Sequence, residues 1–415
     1  MATKSRPAAR RTRKAKRSSA SARTASGRRK KRSAPKDPLA RAKALAERGA
    51  FGEAILAAEA LLDADPRQWP ARRFIAHVLW QCGHAKEAMQ FFESAIMTAP
   101  DKASVQIELA STLALAAQKS AFMTDRAIAL AEKTMARHGP TVALLLHVSG
   151  LHFRRGAKFE ALATAERAVS LFPDSRPARQ NLSVALLMCG READALAAYA
   201  ATLKPYRARP SAGGAKVPRQ YAKLAAGYDD NALHQLFSER MATFIADTIG
   251  STADARVLDA GCGTGLLGTH LKAARLTGID LSSDMIEKAR TRNVYHQLIE
   301  GDLVGAMAKL RDRFDLVVSS CVLYHIADLS PFFRESARLL VPGGRLFFSV
   351  DPAPDDMDIG ESVPGEYAHS RAYLRRLAAE HGLSEAAIAV MGHRATPGFW
   401  CAFRKGSLEN AADAT

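Results

Sequence analysis

The chain has 415 residues with 47% hydrophobic and 24% charged residues and a formal net charge of +17, enough for more than one domain with its own core. No apolar run approaches the roughly 18 residues that a membrane-spanning helix needs, and the five cysteines, at 82, 189, 262, 321 and 401, are odd in number and lack metal-ligand spacing. Those features argue against a membrane span, a disulfide framework and a zinc site, and they fit a reducing, cytoplasmic setting.

The charge is concentrated at one end. Residues 1–36 carry fifteen Lys or Arg and no acid, whereas the remaining 44 bases face 42 acids. Between Met1 and Pro38 there is no Leu, Ile, Val or aromatic residue. Segment 1–37 therefore has nothing to bury against the entropy of ordering, and a disordered basic tail is expected. It lacks the apolar stretch of a secretory signal and the amphipathic face of a transit peptide. Residues 1–36 have two readings: nonspecific, salt-dependent contact with a nucleic acid or other polyanion, or a solvated tail. With no aromatic interleaved to stack on bases, sequence-specific recognition is disfavoured.

Residues 38–205 are repetitive. Gly49, Phe51, Ala54, Ile55 and Pro66 recur as Gly83, Ala85, Ala88, Met89 and Pro100, followed by Gly156, Ala161 and Pro173, then Gly190 and Ala195. The alanines at 54, 88, 127, 161 and 195 are spaced by 34, 39, 34 and 34 residues. Gly at an inter-helix turn, a small residue in the second helix and Pro at its end, repeated at this period, resemble the tetratricopeptide repeat. Small residues are needed where the paired helices approach closely. Five units are expected, with the slip near Gln118–Asp125 absorbed by a longer loop in the third. Such an array is a curved all-α solenoid whose concave face takes a protein or peptide partner; a spacer or dimer interface is the alternative.

Residues 206–220 are rich in Pro, Gly and Arg and read as a linker. Tyr221 and the Tyr228-Asp229 pair follow, ahead of an amphipathic stretch from Leu233 to Ile249. Arg256 to Asp259 then carry the end of a buried strand into an acid, and glycines alternate through Gly261-Cys262-Gly263-Thr264-Gly265 before a helix resumes at Leu266. A strand that stops at glycines and restarts as a helix makes a nucleotide site, because the backbone must turn sharply and admit a flat ligand. Leu266 stands where a dinucleotide fingerprint wants its third glycine, which weakens a dehydrogenase reading, and no Lys-Ser or Lys-Thr follows to make a P-loop. A second strand ends in Asp280, nineteen residues after Gly261, where a carboxylate can accept from ribose hydroxyls. Further strands run into Glu300-Gly301-Asp302-Leu303, Ser319-Ser320 and Asp351.

VLDAGCGTG, GIDLS, EGDL, FDLVVSS and LLVPGGRLFFSV occur in the order and spacing of the class I S-adenosylmethionine-dependent methyltransferases, which residues 221–406 resemble. The resemblance implies a Rossmann-like α/β fold with a seven-stranded, mostly parallel sheet, S-adenosylmethionine as cofactor and a short tail at 407–415. It places Asp259 and the backbone of Gly261, Cys262, Gly263 and Gly265 at the methionine portion, with Ser319 and Ser320 beside it. Asp280 holds the ribose hydroxyls, Leu281 and Met285 pack on the adenosine, and Asp302 with the Leu303 N–H meets the adenine. Tyr221 and Tyr228 match a tyrosine-bearing lid, or they pack on the sheet edge. Asp302 is also a ready N-cap for the helix that follows, and Cys262 reads as a small tolerated residue with no basic partner in view.

The methyl acceptor is not named by these motifs. Candidate catalytic residues are His325, Tyr324 and His369, needed as a general base only if the acceptor carries a proton. His325 otherwise shapes its loop. Tyr367 and His369, in a Y-A-H-S-x-x-Y-L stretch similar to that of bacterial proteins joining tetratricopeptide repeats to this domain, either line an acceptor pocket or belong to a turn capped by Ser370. Relatives often carry an acid where this chain has Ser320-Cys321. Two functions follow: a methyltransferase acting on a small molecule or a protein brought by the repeats, or a repeat scaffold whose sheet binds the cofactor without turnover.

Overall fold

A computed structural model describes residues 37–207 and 227–407. The basic tail over 1–36, Tyr221, most of the linker and most of the C-terminal tail lie outside the described residues.

The repeats form ten helices: α1 (Ala40–Ala46), α2 (Phe51–Ala64), α3 (Trp69–Gln81), α4 (Ala85–Thr98), α5 (Ala103–Ala117), α6 (Thr124–His138), α7 (Val142–Arg154), α8 (Lys158–Leu171), α9 (Arg176–Met188) and α10 (Glu192–Ala200). They pair as five hairpins. Ala54, Ala88, Ala127, Ala161 and Ala195, one in the second helix of each pair, are all 0–1% exposed, so a methyl group is all the helix–helix gap holds. Gly49, Gly83, Gly156 and Gly190 turn the chain with φ between 77° and 85°, in the left-handed region that a Cβ disfavours. The third unit has no such glycine, and a single 3-10 turn, Ala121–Met123, reverses the chain there. Ion pairs Arg73–Glu108, Glu93–Arg126, Asp101–Arg137 and Glu132–Arg167 link neighbouring units along the surface. Exposed pairs of this kind add at most about 1 kcal/mol each; the apolar seam carries the array.

The second half is a sheet covered on both faces. Its strands are β1 (Lys204–Pro205), β2 (Arg256–Ala260), β3 (Arg275–Asp280), β4 (Gln297–Glu300), β5 (Phe314–Ser319), β6 (Leu340–Ala353), β7 (Ile359–Val363), β8 (Glu366–Ser370), β9 (Leu383–His393) and β10 (Thr396–Lys405). The parallel centre runs β4-β3-β2-β5-β6; β10 adds antiparallel to β6, and β9 antiparallel to β10. Those seven strands are the sheet expected from the motifs. Three more extend it: β8 lies parallel to the end of β6, β7 antiparallel to β8, and β1 antiparallel to β7. The strand-poor composition of residues 354–370 hid this extension, because two of its strands have five residues and the third has two.

Alternation along the strands sets the two faces. Leu258, Ile279, Val317 and Leu346 pack beneath α14 (Leu303–Lys309), α15 (Ser330–Leu339) and α16 (Arg371–Glu380). Val257, Leu276, Leu316 and Phe347 face α11 (Ala232–Ile249) and α12 (Leu266–His270). Helix α13 (Ser283–Thr291) bridges β3 to β4.

The repeats and the sheet are joined by buried contacts. Tyr199 of α10 is fully buried and its hydroxyl donates to Asp351 Oδ2 at 3.1 Å. The chain leaving α10 adds β1 to the sheet, and Tyr206 continues it, its N–H donating to the Ile359 carbonyl at 3.0 Å. The first residues expected in the linker are thus held against β7.

Replacing Ala161 by Leu should lower the stability of the chain by about 1–3 kcal/mol, the usual penalty of overpacking a full interior, whereas Phe159→Ala, at a side chain 68% exposed, should change it by less than about 0.5 kcal/mol. Urea denaturation followed by circular dichroism checks both.

Candidate cofactor site and acceptor face

Three acids stand at the carboxyl ends of adjacent parallel strands. Asp259 lies on β2 in register with Gly278 of β3, and Asp280 ends β3 opposite Glu300 of β4, two residues before Asp302. Between them runs the glycine turn. Gly261, Gly263 and Gly265 have φ of 92°, 53° and 82°. A Cβ on Gly261 would stand 2.4 Å from Val322 Cγ2, whereas one on Gly263 would meet nothing within 4 Å. Gly261 is required for packing, and Gly263 leaves its outer side open.

The turn is tied down by side chains. Asp280 Oδ2 accepts from the Gly263 N–H at 2.8 Å and Oδ1 from the Ser282 N–H at 2.9 Å. Asp229 accepts from Thr264 Oγ1 at 2.6 Å and from Arg292 at 2.7 Å, while Arg292 Nε donates to the Thr264 carbonyl at 2.6 Å. The segment ahead of α11 is thereby clamped to the glycine turn. Its Tyr228 ring stacks on His234 at 3.8 Å.

Tyr295 was not singled out by the motifs, yet it sits at the centre. Its hydroxyl donates to Asp259 Oδ2 at 2.7 Å. A Cβ on Gly265, Gly268 or Gly278 would come within 3 Å of its ring or hydroxyl. Three glycines at separate places in the sequence therefore open one slot. The signal was present in Gly268 and Gly278, whose absent side chains demand a large neighbour, but sequence spacing alone does not say which.

Burial pushes the Asp259 carboxyl up to about 7; the Tyr295 hydrogen bond opposes this and the Asp280 charge adds to it. Asp280 is also raised by burial, against the pull of its backbone donors. Cys262 is 7% exposed, and burial lifts its thiol well above the ordinary range, which matches the inert small residue.

Other expected residues fall as follows. Met285 is 1% exposed and Leu281 40%, so Leu281 offers an open apolar face beside Asp280. Asp302 caps α14, its Oδ2 accepting from the Gly305 N–H at 2.9 Å, and Leu303 is the first residue of that helix. Ser319 is fully buried and its hydroxyl donates to the Ala260 carbonyl at 2.7 Å, which ties β5 to β2; Ser320 is half-buried. Tyr324 is buried beneath the Arg394 guanidinium, 3.6 Å from its ring centre, and His325 is half-buried beside it. Burial lowers the His325 pKa, with Arg394 acting in the same direction.

His369 lies elsewhere than an acceptor pocket. It is fully buried on β8, with Nε2 2.9 Å from the Ala327 carbonyl and its ring stacked on Tyr373. Burial lowers its pKa to about 4. Ser370 caps α16 through the Tyr373 N–H, so this stretch follows the capping alternative. Tyr367 meets Tyr206 edge-on at 5.1 Å.

The arrangement fits an adenosyl ligand. Asp280 accepts from the backbone N–H groups of Gly263 and Ser282 and keeps further acceptor capacity, Leu281 is open beside it, and Gly263 presents no side chain. Among the described residues no group of His, Cys, Asp and Glu is arranged to hold a metal ion.

A carboxyl raised in the folded state binds its proton more tightly there, so its contribution to stability is complete below about 4 and lost as pH climbs through about 7. Asp259→Asn should flatten that slope and raise the melting temperature relative to the parent chain above about pH 7. Thermal melts across the pH range without ligand read this directly.

Residues 258–348 match the family model for a methyltransferase domain and residues 45–114 that for a tetratricopeptide repeat. The ubiquinone biosynthesis O-methyltransferase of Coxiella burnetii is 36% identical over 99 residues, 23% of this chain and 42% of that protein. The malonyl-[acyl-carrier protein] O-methyltransferase of Pseudescherichia vulneris is 26% identical over 178 residues, 42% of this chain and 68% of that protein. The chain thus spans half or less of the length of the ubiquinone biosynthesis relatives it matches. Among solved structures, the magnesium protoporphyrin IX methyltransferase of Synechocystis PCC 6803 with bound SAM is 21% identical, covers 47% of this chain and 87% of its own, and aligns with a TM-score of 0.34. Given the strand order, the glycine turn and the acids at the strand ends, the chain carries a class I S-adenosylmethionine-dependent methyltransferase domain behind tetratricopeptide repeats.

Proposed function

We propose that the chain transfers a methyl group to an oxygen acceptor, with residues 221–406 as the catalytic domain and the repeats over 38–205 as an interaction module. The observation that carries this reading is the succession of Asp259, Asp280 and Asp302 at the carboxyl ends of three neighbouring parallel strands, with Asp280 accepting from the Gly263 N–H of the glycine turn. Bound S-adenosylmethionine supplies a sulfonium-activated methyl group, so the protein need not create a leaving group. Asp280 is assigned to the ribose hydroxyls, Leu281 and Met285 to the adenosine face, and Asp302 with the Leu303 N–H to the adenine edge. Asp259, with the Gly261–Gly265 backbone, Ser319 and Ser320, borders the methionine end, and Tyr228 closes over it. Asp259, buried and held by Tyr295, gains its charge when a cation lies near, since a positive neighbour favours the ionised form.

The relatives' stated activities are O-methylations, which favours an oxygen acceptor. Rate enhancement then rests on holding that oxygen in line with the methyl group. His325, kept neutral by burial and by Arg394, is assigned as the group that takes the oxygen's proton, with Tyr324 shaping the same wall. A small molecule and a repeat-bound protein are both acceptor classes for this site. A cytoplasmic setting accords with five free cysteines, and no helix among the described residues is long and apolar enough to cross a membrane. The basic residues 1–36 are assigned nonspecific polyanion contact.

Asp280→Ala should abolish binding of S-adenosylmethionine in calorimetry, and an affinity equal to that of the parent chain would overturn the ribose assignment. Incubating the chain with radiolabelled cofactor and cell extract should transfer label to protein or small metabolites, and His325→Ala should lower kcat by about 100-fold or more with binding of cofactor unchanged.

A further inference from the structure

Arg394 stands in the short turn between β9 and β10 with its backbone at φ 57°. Hairpin turns usually put Asn, Asp or Gly in that left-handed region, and a longer side chain occupies it at a cost. Here the turn delivers a guanidinium to three other elements. Nη2 donates to Asp351 Oδ2 of β6 at 2.5 Å and Nη1 to Glu366 Oε2 of β8 at 3.2 Å. The central carbon of the group lies 3.6 Å from the ring centre of Tyr324, in the loop after β5. The Tyr324 ring in turn meets the His325 ring at 4.0 Å. A lysine would bring the charge, but not a planar face and two forked donors at once.

The inner end of this arrangement is fixed by burial. Asp351 has no exposure, and besides Arg394 it accepts from His393 Nδ1 at 2.6 Å, from Tyr199 Oη at 3.1 Å and from Thr396 Oγ1 at 3.4 Å. His393 is also fully buried, and its ring meets that of Tyr324 edge-on at 6.2 Å. Burial pushes the Asp351 carboxyl up, but the His393 hydrogen bond and the Arg394 charge outweigh it and hold the acid at about 2. Asp351 is therefore ionised near neutral pH and keeps its hold on Arg394. The Arg394 side chain is 25% exposed, so it reaches from a buried acid to the surface of the wall.

The same group governs the charge of His325. Burial lowers the His325 pKa and the Arg394 charge adds to that, while Glu366, a backbone hydrogen bond at Gly365 and Asp351 act the other way. The neutral imidazole thus depends on a guanidinium that offsets two carboxylates. Once His325 has taken a proton, two cations are neighbours, which favours release of that proton.

We propose that Arg394 is a positioning residue for methyl transfer: bridged between Asp351 and Glu366, it holds the Tyr324 ring beside His325 and keeps a positive charge at that wall. The inference rests on the assignment of His325 as the group that takes the acceptor's proton, and Arg394 acts through His325 and Tyr324. The repeats contribute to it, because Tyr199 of α10 is one of the donors that fix Asp351.

The test is imidazole titration by nitrogen-15 NMR on the full chain without cofactor, the His325 signal being identified by its loss in His325→Gln. Arg394→Met keeps an unbranched side chain and removes the charge, and it should move the His325 midpoint alkaline. Glu366→Gln, at a side chain 32% exposed, should move it acid, because one carboxylate opposing Arg394 is gone. Opposite directions follow from a fixed set of charges, whereas local unfolding would move both variants alkaline. With radiolabelled cofactor and cell extract, Arg394→Met and Arg394→Lys should each lower label transfer about tenfold or more, with calorimetric affinity for S-adenosylmethionine equal to that of the parent. An unmoved midpoint in folded Arg394→Met, shifts of the two variants in one direction, or full label transfer by Arg394→Lys overturns the proposal. Circular dichroism reports folding; if Arg394→Met does not fold, the acid shift in Glu366→Gln and the loss in Arg394→Lys decide. A parent chain that transfers no label contradicts the methyl-transfer reading itself, whereas variants that match an active parent contradict only the role of Arg394.

Discussion

The cofactor end of the domain depends on a ring fitted where side chains are missing. Tyr295 occupies space left open by Gly265, Gly268 and Gly278, which come from a turn, a helix and a strand. A methyl group on any of the three would collide with it. The fit fixes the spacing of β2, β3 and α12 and brings a neutral donor to a carboxylate that has 1% exposure. Without that donor, Asp259 would be buried with one hydrogen-bonding oxygen uncompensated, a costly state for a charge or a polar group. The Asp280 bridge to Gly263 and the Asp229–Thr264–Arg292 clamp then hold the turn from its other sides. Protein contacts alone fix the turn on these sides, which is what an arrangement working by positioning requires.

Much of this was legible in the chain as written. The alanines at a period of 34 mark the contacts where helices touch, because helical packing leaves few choices at its closest points. The strand-glycine-helix pattern and the acid after the next strand locate the turn, because parallel sheets put their ligands at strand ends. Asp302 shows where legibility stops. Its cap of α14 and its expected contact with adenine use the same carboxylate, and sequence cannot divide the two oxygens. His369 shows a different failure: a histidine in a polar-looking stretch went into a strand of the added sheet segment, where Ala327 and Tyr373 enclose it.

The Asp351 cluster was beyond reach for a third reason. Its members come from β6, from the β9–β10 hairpin and from α10, up to 195 residues apart in the chain, and none belongs to a recognisable spacing. Only tertiary closure joins them. The acid expected near Ser320-Cys321 is absent from that loop, yet negative charge is present close by, contributed by Asp351 and Glu366 and balanced by Arg394. The polarity of that wall is thus a property of the folded sheet and not of its loop sequence.

Tyr199 gives the helical array a structural stake in the sheet. A hydroxyl from the last helix completes the donor set of a carboxylate with no exposure to water. A graft of foreign repeats lacking a phenol at that place would leave the acid short of a partner, however well its helices stacked. The two halves of the chain are therefore constrained to evolve together at this seam, where flexing of the array reaches the sheet through this hydroxyl as well as through β1.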